Sequence, residues 1–392
     1  MVRFLHTADW QIGMTRHYLS AEAQPRFAAA RTDVVRRLGG LAADLGCDFV
    51  VVAGDVFEHN QLTPQTVRRA VEALRAVPVP VFLLPGNHDH LGPMSIWSSP
   101  LLREELPPHV QVLDRAGLHE VSPGVELVAA PWVGKHPDGD PVAGVLADLA
   151  PAPEGVVRVL VGHGAVDLLD ADRRTASAIA VEPLVRALDE GRVHYVALGD
   201  RHSTTQVGDD PAVWYSGAPE PTSWREDRAG EVLVVEVAPG LPHARARVGV
   251  TAHRVSRWSY VSQERDLGSE DDLDLLDTEL AALPDKERTV LRLGLRGTLG
   301  LAQHARLEEM LERHAQLLGA LHRPAQHSDL VLAGDDDLAD LELGGFLASA
   351  AEEIRGGARL GSGSADELGG EWGAADVRRL HPRSSGRRAE RP

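Results

Sequence analysis

The sequence predicts an α/β fold with a second, small α+β domain. Three observations predict it. Five short apolar runs rich in β-branched residues or leucine are spaced through the first 200 residues. Stretches with helical periodicity separate several of them. Near Val255 the pattern regroups around an acidic stretch. Strands alternating with helices are the mark of layered α/β architecture.

The runs are Val2 to Leu5, Phe49 to Ala53, Val79 to Leu84, Val156 to Val161 and Tyr195 to Leu198. Each is nearly continuous, which suits strands buried on both faces. Helices are expected at Ala21 to Leu45, Pro64 to Ala76 and Val181 to Glu190. The second has a start signal, with Thr63 as N-cap and Pro64 in the first turn. After about Gly217, Gly230 to Val237 and Ala246 to Arg254 read as strands with few helices between them. Residues 1–250 are thus expected to form one domain and 255–355 another. The second would comprise helices at Ser269 to Leu283, Leu301 to Leu318 and Asp337 to Ile354, and a strand at Thr289 to Leu295. Residues 356–392 are rich in Gly, Ser and Arg without periodicity and are expected to be mostly disordered. The last 20 residues hold six Arg against Asp376 and Glu390. This basic tail is either a solvated tail or a contact to DNA.

The chain has 392 residues, 43% hydrophobic and 25% charged, an ordinary soluble composition. Its net charge of −18 argues against coating nucleic acid by bulk electrostatics. It leaves open an enzyme that grips DNA through metal ions and a local basic surface. The one cysteine, Cys47, permits no internal disulfide and reads as a small apolar residue at a helix end. The N-terminal residues lack a signal-peptide core, and no apolar run approaches bilayer-spanning length. A cytoplasmic location without membrane contact is expected.

The residues at the end of each run carry the chemistry. The endings are Asp9-Trp10-Gln11, Gly54-Asp55, Gly86-Asn87-His88-Asp89, Gly162-His163 and Gly199-Asp200-Arg201-His202. All five contain residues able to bind metal or move protons. In an open α/β sheet, ligands collect where strand C-termini line up, so these groups are expected on one sheet edge. A lone Gly-Asp is a common turn and a lone His is usually structural. Five such endings in one chain are not explained that way.

This order resembles the calcineurin-like metallophosphoesterases, whose pattern is Asp-x-His, Gly-Asp, Gly-Asn-His-Asp/Glu, a lone His, then Gly-His-x-His. Within them it is most similar to the SbcD nucleases, through Phe4 to Trp10, Tyr195 to Gly199 and Trp214 to Pro219. The resemblance covers roughly residues 1 to 240. It implies a β-sandwich flanked by helices, with the region after 255 as a small α+β capping domain. It implies two divalent metal ions, Mn2+ foremost with Mg2+ possible. One would be held by Asp9, Gln11, Asp55 and His202, the other by Asp55, Asn87, His163 and Asp200, with Asp55 bridging. Gln11 and Asp200 stand where the pattern has histidines. Oxygen in place of nitrogen favours Mn2+ and weakens Zn2+ retention. The harsher alternative is an emptied site and a pseudoenzyme.

By the same resemblance His88 is the catalytic histidine, contacting phosphate and protonating the leaving oxygen. Glu58 either orients His88 or is a loop surface charge. His6 and His59 are candidates to support the ligands from behind, or packing residues. Tyr215, Trp214 and Trp224 either stack on bases or pack in the core; Arg225 and Arg228 could contact the backbone. The resemblance further implies 3′-to-5′ exonuclease and single-strand endonuclease activity in double-strand break repair. It implies an SbcC-like ABC ATPase partner with a coiled coil, gripped by the helix at 337–354. A homodimer is implied through the surroundings of Pro64 to Ala76 and Ser95 to Leu102. Two alternatives remain: a small-molecule or cyclic-nucleotide phosphodiesterase, which the −18 charge suits, and a non-catalytic DNA-end-binding scaffold. No Walker A loop, dinucleotide fingerprint or Gly-x-Ser-x-Gly elbow is present.

Overall fold

The computed structural model describes residues 1–169, 177–239, 245–324 and 329–332. The first part of the chain runs β1 (Val2–Thr7), α1 (Ala23–Asp44), β2 (Phe49–Val52), α2 (Pro64–Arg75), β3 (Val81–Leu83), α3 (Pro100–Glu105), β4 (Val110–Val112), β5 (Gly117–Ser122) and β6 (Val125–Ala130). It continues α4 (Pro141–Ala147), β7 (Val157–His163), α5 (Val181–Asp189), β8 (Tyr195–Gly199), β9 (Thr205–Gln206), β10 (Val213–Tyr215), β11 (Glu231–Ala238) and β12 (Arg247–Arg254). Then come β13 (Ser259–Leu267), α6 (Glu270–Ala282), β14 (Thr289–Leu299), α7 (Leu301–Ala315), β15 (Ala320–His322) and β16 (Asp329–Leu332).

The five apolar runs all form strands, but not in one sheet. The first sheet has the order β12-β11-β1-β2-β3-β4, the second β5-β6-β7-β8-β10-β9. β1, β2 and β3 are parallel, with Leu5 opposite Val50 and Val52 opposite Leu83. β7 and β8 are parallel in the other sheet, with His163 opposite Gly199. The single edge expected from the sequence is therefore corrected to the shared rim of a sandwich. The reason lies in β5 and β6, which start the second sheet as an antiparallel hairpin. β5 alternates exposed and half-buried residues around one buried histidine, too polar a pattern to stand out as an apolar run.

One core lies between the sheets. Phe4, Phe49, Val51 and Phe82 of the first meet Leu127, Val159, Val161 and Tyr195 of the second. Phe4 stacks on Phe49 at 4.9 Å and meets Tyr195 edge-on. The opposite face of the first sheet presents Leu5, Val50, Val52 and Leu83 to α1 and α2, through Val34, Leu38, Val67 and Leu74. Continuous apolar runs are thus explained by burial on both faces. Thr63 caps α2 through Thr66 N at 3.2 Å, with Pro64 in its first turn.

β13, β14, β15 and β16 form a third, parallel sheet covered by α6 and α7 around a leucine-rich cluster of its own. β13 carries no clear signal in the sequence, since its residues alternate exposed and half-buried. This sheet packs on α1: Trp258 meets Phe27 edge-on at 5.1 Å. Glu220, buried, accepts from Arg257 N and Trp258 N and pairs with Arg37. No described helix is long and apolar enough to cross a membrane. The helix expected at 337–354 and the tail at 356–392 lie outside the described residues.

Candidate metal centre

The rim of the sandwich collects the strand endings through a strained backbone. Asp9, Gln11, Asp55 and Asp200 have φ of 55°, 46°, 53° and 102°. Asp285, at 41°, is the remaining non-glycine in the left-handed region among the described residues. Such conformations cost roughly 1–3 kcal/mol each and persist where the surroundings over-determine them. Here the loops after β1 and β2 are laced together, Asp9 N to Gly54 O at 3.0 Å and Gln11 N to Asp55 O at 2.9 Å. Asp200 N donates to both oxygens of Asp9 at 3.2 Å. Gly54, at φ 94°, admits the imidazole of His163; a Cβ there would lie 2.1 Å from Nδ1.

Asp9, Asp55 and His163, all buried, each offer a ligand atom within 4.8 Å of the others. His163 Nδ1 donates to Ala53 O at 2.8 Å, turning Nε2 into the cluster. That Nε2 lies 3.0 Å from Asn87 Oδ1, 3.4 Å from Asp55 Oδ1 and 3.9 Å from Asp200 Oδ1. His202 Nε2 lies 3.2 Å from Gln11 Nε2 and 3.9 Å from Asp9 Oδ1. The seven residues expected around the metals are therefore together, Asp200 and His202 at the more open side.

The electrostatics call for cations. Burial pushes the Asp9 carboxyl up to about 6, against the pull of His202 and His163. Burial opposes charge on Asp55 too, but His163 and His88 outweigh it and hold Asp55 below the ordinary carboxylate range. Burial would lower His163, yet Asp55, Asp9 and Asp200 raise it well above the usual imidazole value. A buried group of carboxylates that draws a proton onto its histidine is short of positive charge. Gln11 Oε1 is buried and has no hydrogen-bond partner, a carbonyl oxygen free to ligate. The donor set of carboxylate, amide and imidazole fits divalent metal.

The chain's own residues brace these ligands. His202 Nδ1 lies 2.8 Å from Thr222 Oγ1 and 3.1 Å from Glu226 Oε1. Donation from Nδ1 to a carboxylate leaves the Nε2 lone pair for a metal. Sequence reasoning misses Glu226, although it singles out the neighbouring Trp224 and Arg225. The signal of Glu226 is spatial: 24 residues separate it from His202. Asp89 is spent on structure, accepting from Gly86 N at 2.7 Å and Phe57 N at 3.0 Å. His88 N donates to Asp55 Oδ1 at 3.0 Å, and its Nε2 stands 3.9 Å from Asp55 Oδ2.

At Glu58 it is the backbone carbonyl that accepts from His88 Nδ1 at 2.8 Å, while a side-chain oxygen is buried without a partner. His6 is a core residue, bonded to Tyr195 OH and Leu198 O, and burial drives its pKa down to about 3. His59 is exposed. The stacking role expected of Tyr215 and Trp224 is corrected. Tyr215 is 1% exposed and its hydroxyl donates to Gly164 O at 2.7 Å, so no ring face is open. Trp224 donates to Val290 O at 3.1 Å and lies among Tyr18, Tyr260 and His322, packing the third sheet to the sandwich. Arg225 lines a groove with Asp200 and His202.

Residues 2–204 match the sequence profile of the calcineurin-like phosphoesterases. The chain belongs to that family. Membership implies divalent metal binding and hydrolysis of phosphoesters, and the sandwich is the family's metallophosphoesterase fold. This calcineurin-like phosphoesterase is 35% identical over 91 residues to the DNA double-strand break repair protein Mre11 of Archaeoglobus fulgidus, covering 22% of this chain and 19% of that one. It is 32% identical over 95 residues to the uncharacterized metallophosphoesterase YhaO of Bacillus subtilis, 23% of each chain. It is 32% identical over 107 residues to the SbcD subunit of the nuclease SbcCD of Bacillus subtilis, 26% of each chain. The matched stretches thus span about a fifth to a quarter of these relatives' lengths.

Proposed function

We propose that this phosphoesterase is a Mn2+-dependent nuclease that hydrolyses phosphodiesters of DNA. The observation that carries the reading is the convergence of Asp9, Asp55 and His163 within 4.8 Å, ringed by Gln11, Asn87, Asp200 and His202. Asp9, Gln11, Asp55 and His202 would hold one divalent ion, and Asp55, Asn87, His163 and Asp200 the other. Such a pair supplies an activated water and neutralises charge on the phosphoryl oxygens. Asp55 would join the two sets, since its carboxylate lies within ligand reach of both Asp9 of the first and His163 of the second. Ala53 O and Glu226 fix the imidazoles of His163 and His202 so that each presents Nε2. His88 donates from Nδ1 to the Glu58 carbonyl, so in its doubly protonated form it would also have an Nε2 proton to hold a phosphoryl oxygen and to give to the leaving alkoxide.

The matches to a DNA double-strand break repair protein and to a nuclease subunit support DNA as substrate; exonuclease and single-strand endonuclease activity in break repair is the form of cleavage we propose. The name of the SbcCD nuclease, in which the matched protein is one subunit, supports an SbcC-like ATPase partner; a homodimer and a cytoplasmic location complete the same reading. The net charge of −18 favours one competing reading, a small-molecule phosphodiesterase.

The deciding experiment offers circular single-stranded DNA, end-labelled duplex and an aryl phosphodiester to protein stripped of metal and reloaded with Mn2+. Cleavage of both DNAs, lost in Asp55→Ala, is the expected result. Hydrolysis of the aryl ester alone would transfer the function to a small diester.

A further inference from the structure

Two grooves flank the carboxylate cluster. One of about 440 Å³ opens on the Asp200–His202 side, with Arg201 and Arg225 on its wall. The other, about 660 Å³, opens beside Asn87 and His88 and is lined by His59, His90, Lys135 and His136. The second meets the metal centre only at its Asn87–His88 edge, and its outer wall lies beyond the expected ligands.

Its chemistry is unusual for this chain. The net charge is −18, yet Glu58 is the one acid on this wall, and burial raises its carboxyl pKa, disfavouring its charge. Lys135 is one of two lysines in the sequence, where the other cations are arginines. The second, Lys286, donates to Ala281 O. Lys135 is exposed and has no carboxylate partner among the described residues. The histidines add outward polar groups. His59 Nδ1 accepts from Gln61 N at 3.1 Å, so its Nε2 carries the proton and faces outward as a donor. His90 is different: its Nδ1 donates to Leu91 O at 3.1 Å, so its Nε2 donates to an anion only when the ring is doubly protonated. A concave wall with a lysine, outward N–H donors and little negative charge focuses field on an anion.

Shape narrows the anion. A small diester needs only the space over the metal ligands. Two grooves that each meet the metal ligands, one with Arg201 and Arg225 on its wall and the other with Lys135, suit a linear polyanion that passes over those ligands.

We propose that the groove beside His88 takes the phosphodiester backbone of a polynucleotide strand, with Lys135 and His136 on phosphates beyond the scissile one. This rests on the phosphodiesterase reading above and says where the substrate strand lies. A lysine on phosphate is a point-charge interaction that carries no sequence information. The groove therefore sets preference for a strand over a small ester, not for one sequence over another.

The test uses full-length protein and a Lys135→Ala/His136→Ala double variant. Binding of a fluorescein-labelled oligothymidylate is followed by anisotropy in EDTA across a salt series. Hydrolysis of an aryl phosphodiester is measured in Mn2+ alongside hydrolysis of unlabelled oligothymidylate. The expected result is a fall in strand affinity of about five- to tenfold, with the slope of log affinity against log salt reduced by about 0.7 for each phosphate no longer neutralised. The strand's KM should rise about tenfold more than that of the aryl ester. Unchanged affinity and slope would overturn the proposal, as would equal losses on strand and aryl ester. Inorganic polyphosphate competing as tightly per phosphate as the oligonucleotide would also overturn it, leaving a general polyanion site. If the wild type hydrolyses no diester while the variant still loses strand affinity, the groove stands and the phosphodiesterase reading fails.

Discussion

At the scale of single residues, the centre is a balance between burial and charge. Asp9 is fully buried, and its carboxyl is pushed up to about 6 by that burial. Below that pH the carboxyl keeps its proton, and a metal must displace it. Mn2+ affinity is therefore expected to fall as pH drops from 7 to 5, approaching about tenfold per pH unit and per proton displaced. Calorimetry in buffers of different ionisation heat should show proton release on binding at the lower pH. An affinity independent of pH over that range would refute the assignment of Asp9 as a ligand. His88 stands apart from the ligands, held by the Glu58 carbonyl and touching Asp55 through its own backbone N–H. His88→Ala should lower kcat by about 10²–10⁴-fold, the usual contribution of a positioned acid. Mn2+ stoichiometry should be preserved, which separates loss of a proton donor from loss of a metal.

At the scale of elements, loops rather than strands do the delicate positioning. The strands fix where each loop begins; hydrogen bonds between loops fix how each ends. The loop from Glu220 to Arg228 shows this. Its Thr222 and Glu226 hold His202, while its Trp224 is packed against Val290, Tyr18 and Tyr260. Burial opposes charge on His202, but the hydrogen bond to Glu226 and the charges of Asp9, Glu226 and Asp55 together outweigh it and raise the imidazole pKa. Glu226→Gln keeps the shape and removes the carboxylate. It should weaken Mn2+ binding at one of two sites by about 10–100-fold, the usual effect of losing a partner to a ligating histidine. Electron paramagnetic titration of Mn2+ resolves the two sites. Equal weakening of both, or of neither, would show that Glu226 does not act through His202.

At the scale of the whole molecule, the third sheet is joined to the sandwich through a few large side chains. Trp258 is 1% exposed and packs on Phe27, whose ring the Arg31 guanidinium carbon overlies at 4.6 Å. Glu220 accepts from the consecutive backbone N–H groups of Arg257 and Trp258 and pairs with Arg37 of α1. Trp258→Ala should cost about 3–5 kcal/mol by leaving a cavity at this joint. Because the third sheet has its own leucine cluster, the loss should appear as a split thermal transition in calorimetry. A single transition at the wild-type temperature would mean that this packing contributes little to joining the two parts.

The sequence alone marked the five apolar runs as strands and the residues that end them. Runs such as Phe49 to Ala53 are apolar on both faces, and the Asp, Asn and His residues after them are conspicuous because such groups are costly to bury without a task. It also marked α2, through Thr63 and Pro64, because caps are local. Tertiary structure decided the rest. It divided the five runs between two facing sheets, a choice made by the weakly patterned β5–β6 hairpin. It spent Tyr215 and Trp224 on packing, and it turned a backbone carbonyl of Glu58, not its carboxylate, toward His88. It brought Glu226 to His202 across 24 residues. Hydropathy and caps act over a few neighbours and can be read along the chain. The partner of a buried polar group is chosen by whatever the fold places within about 3 Å of it, and that distance is not written in sequence order.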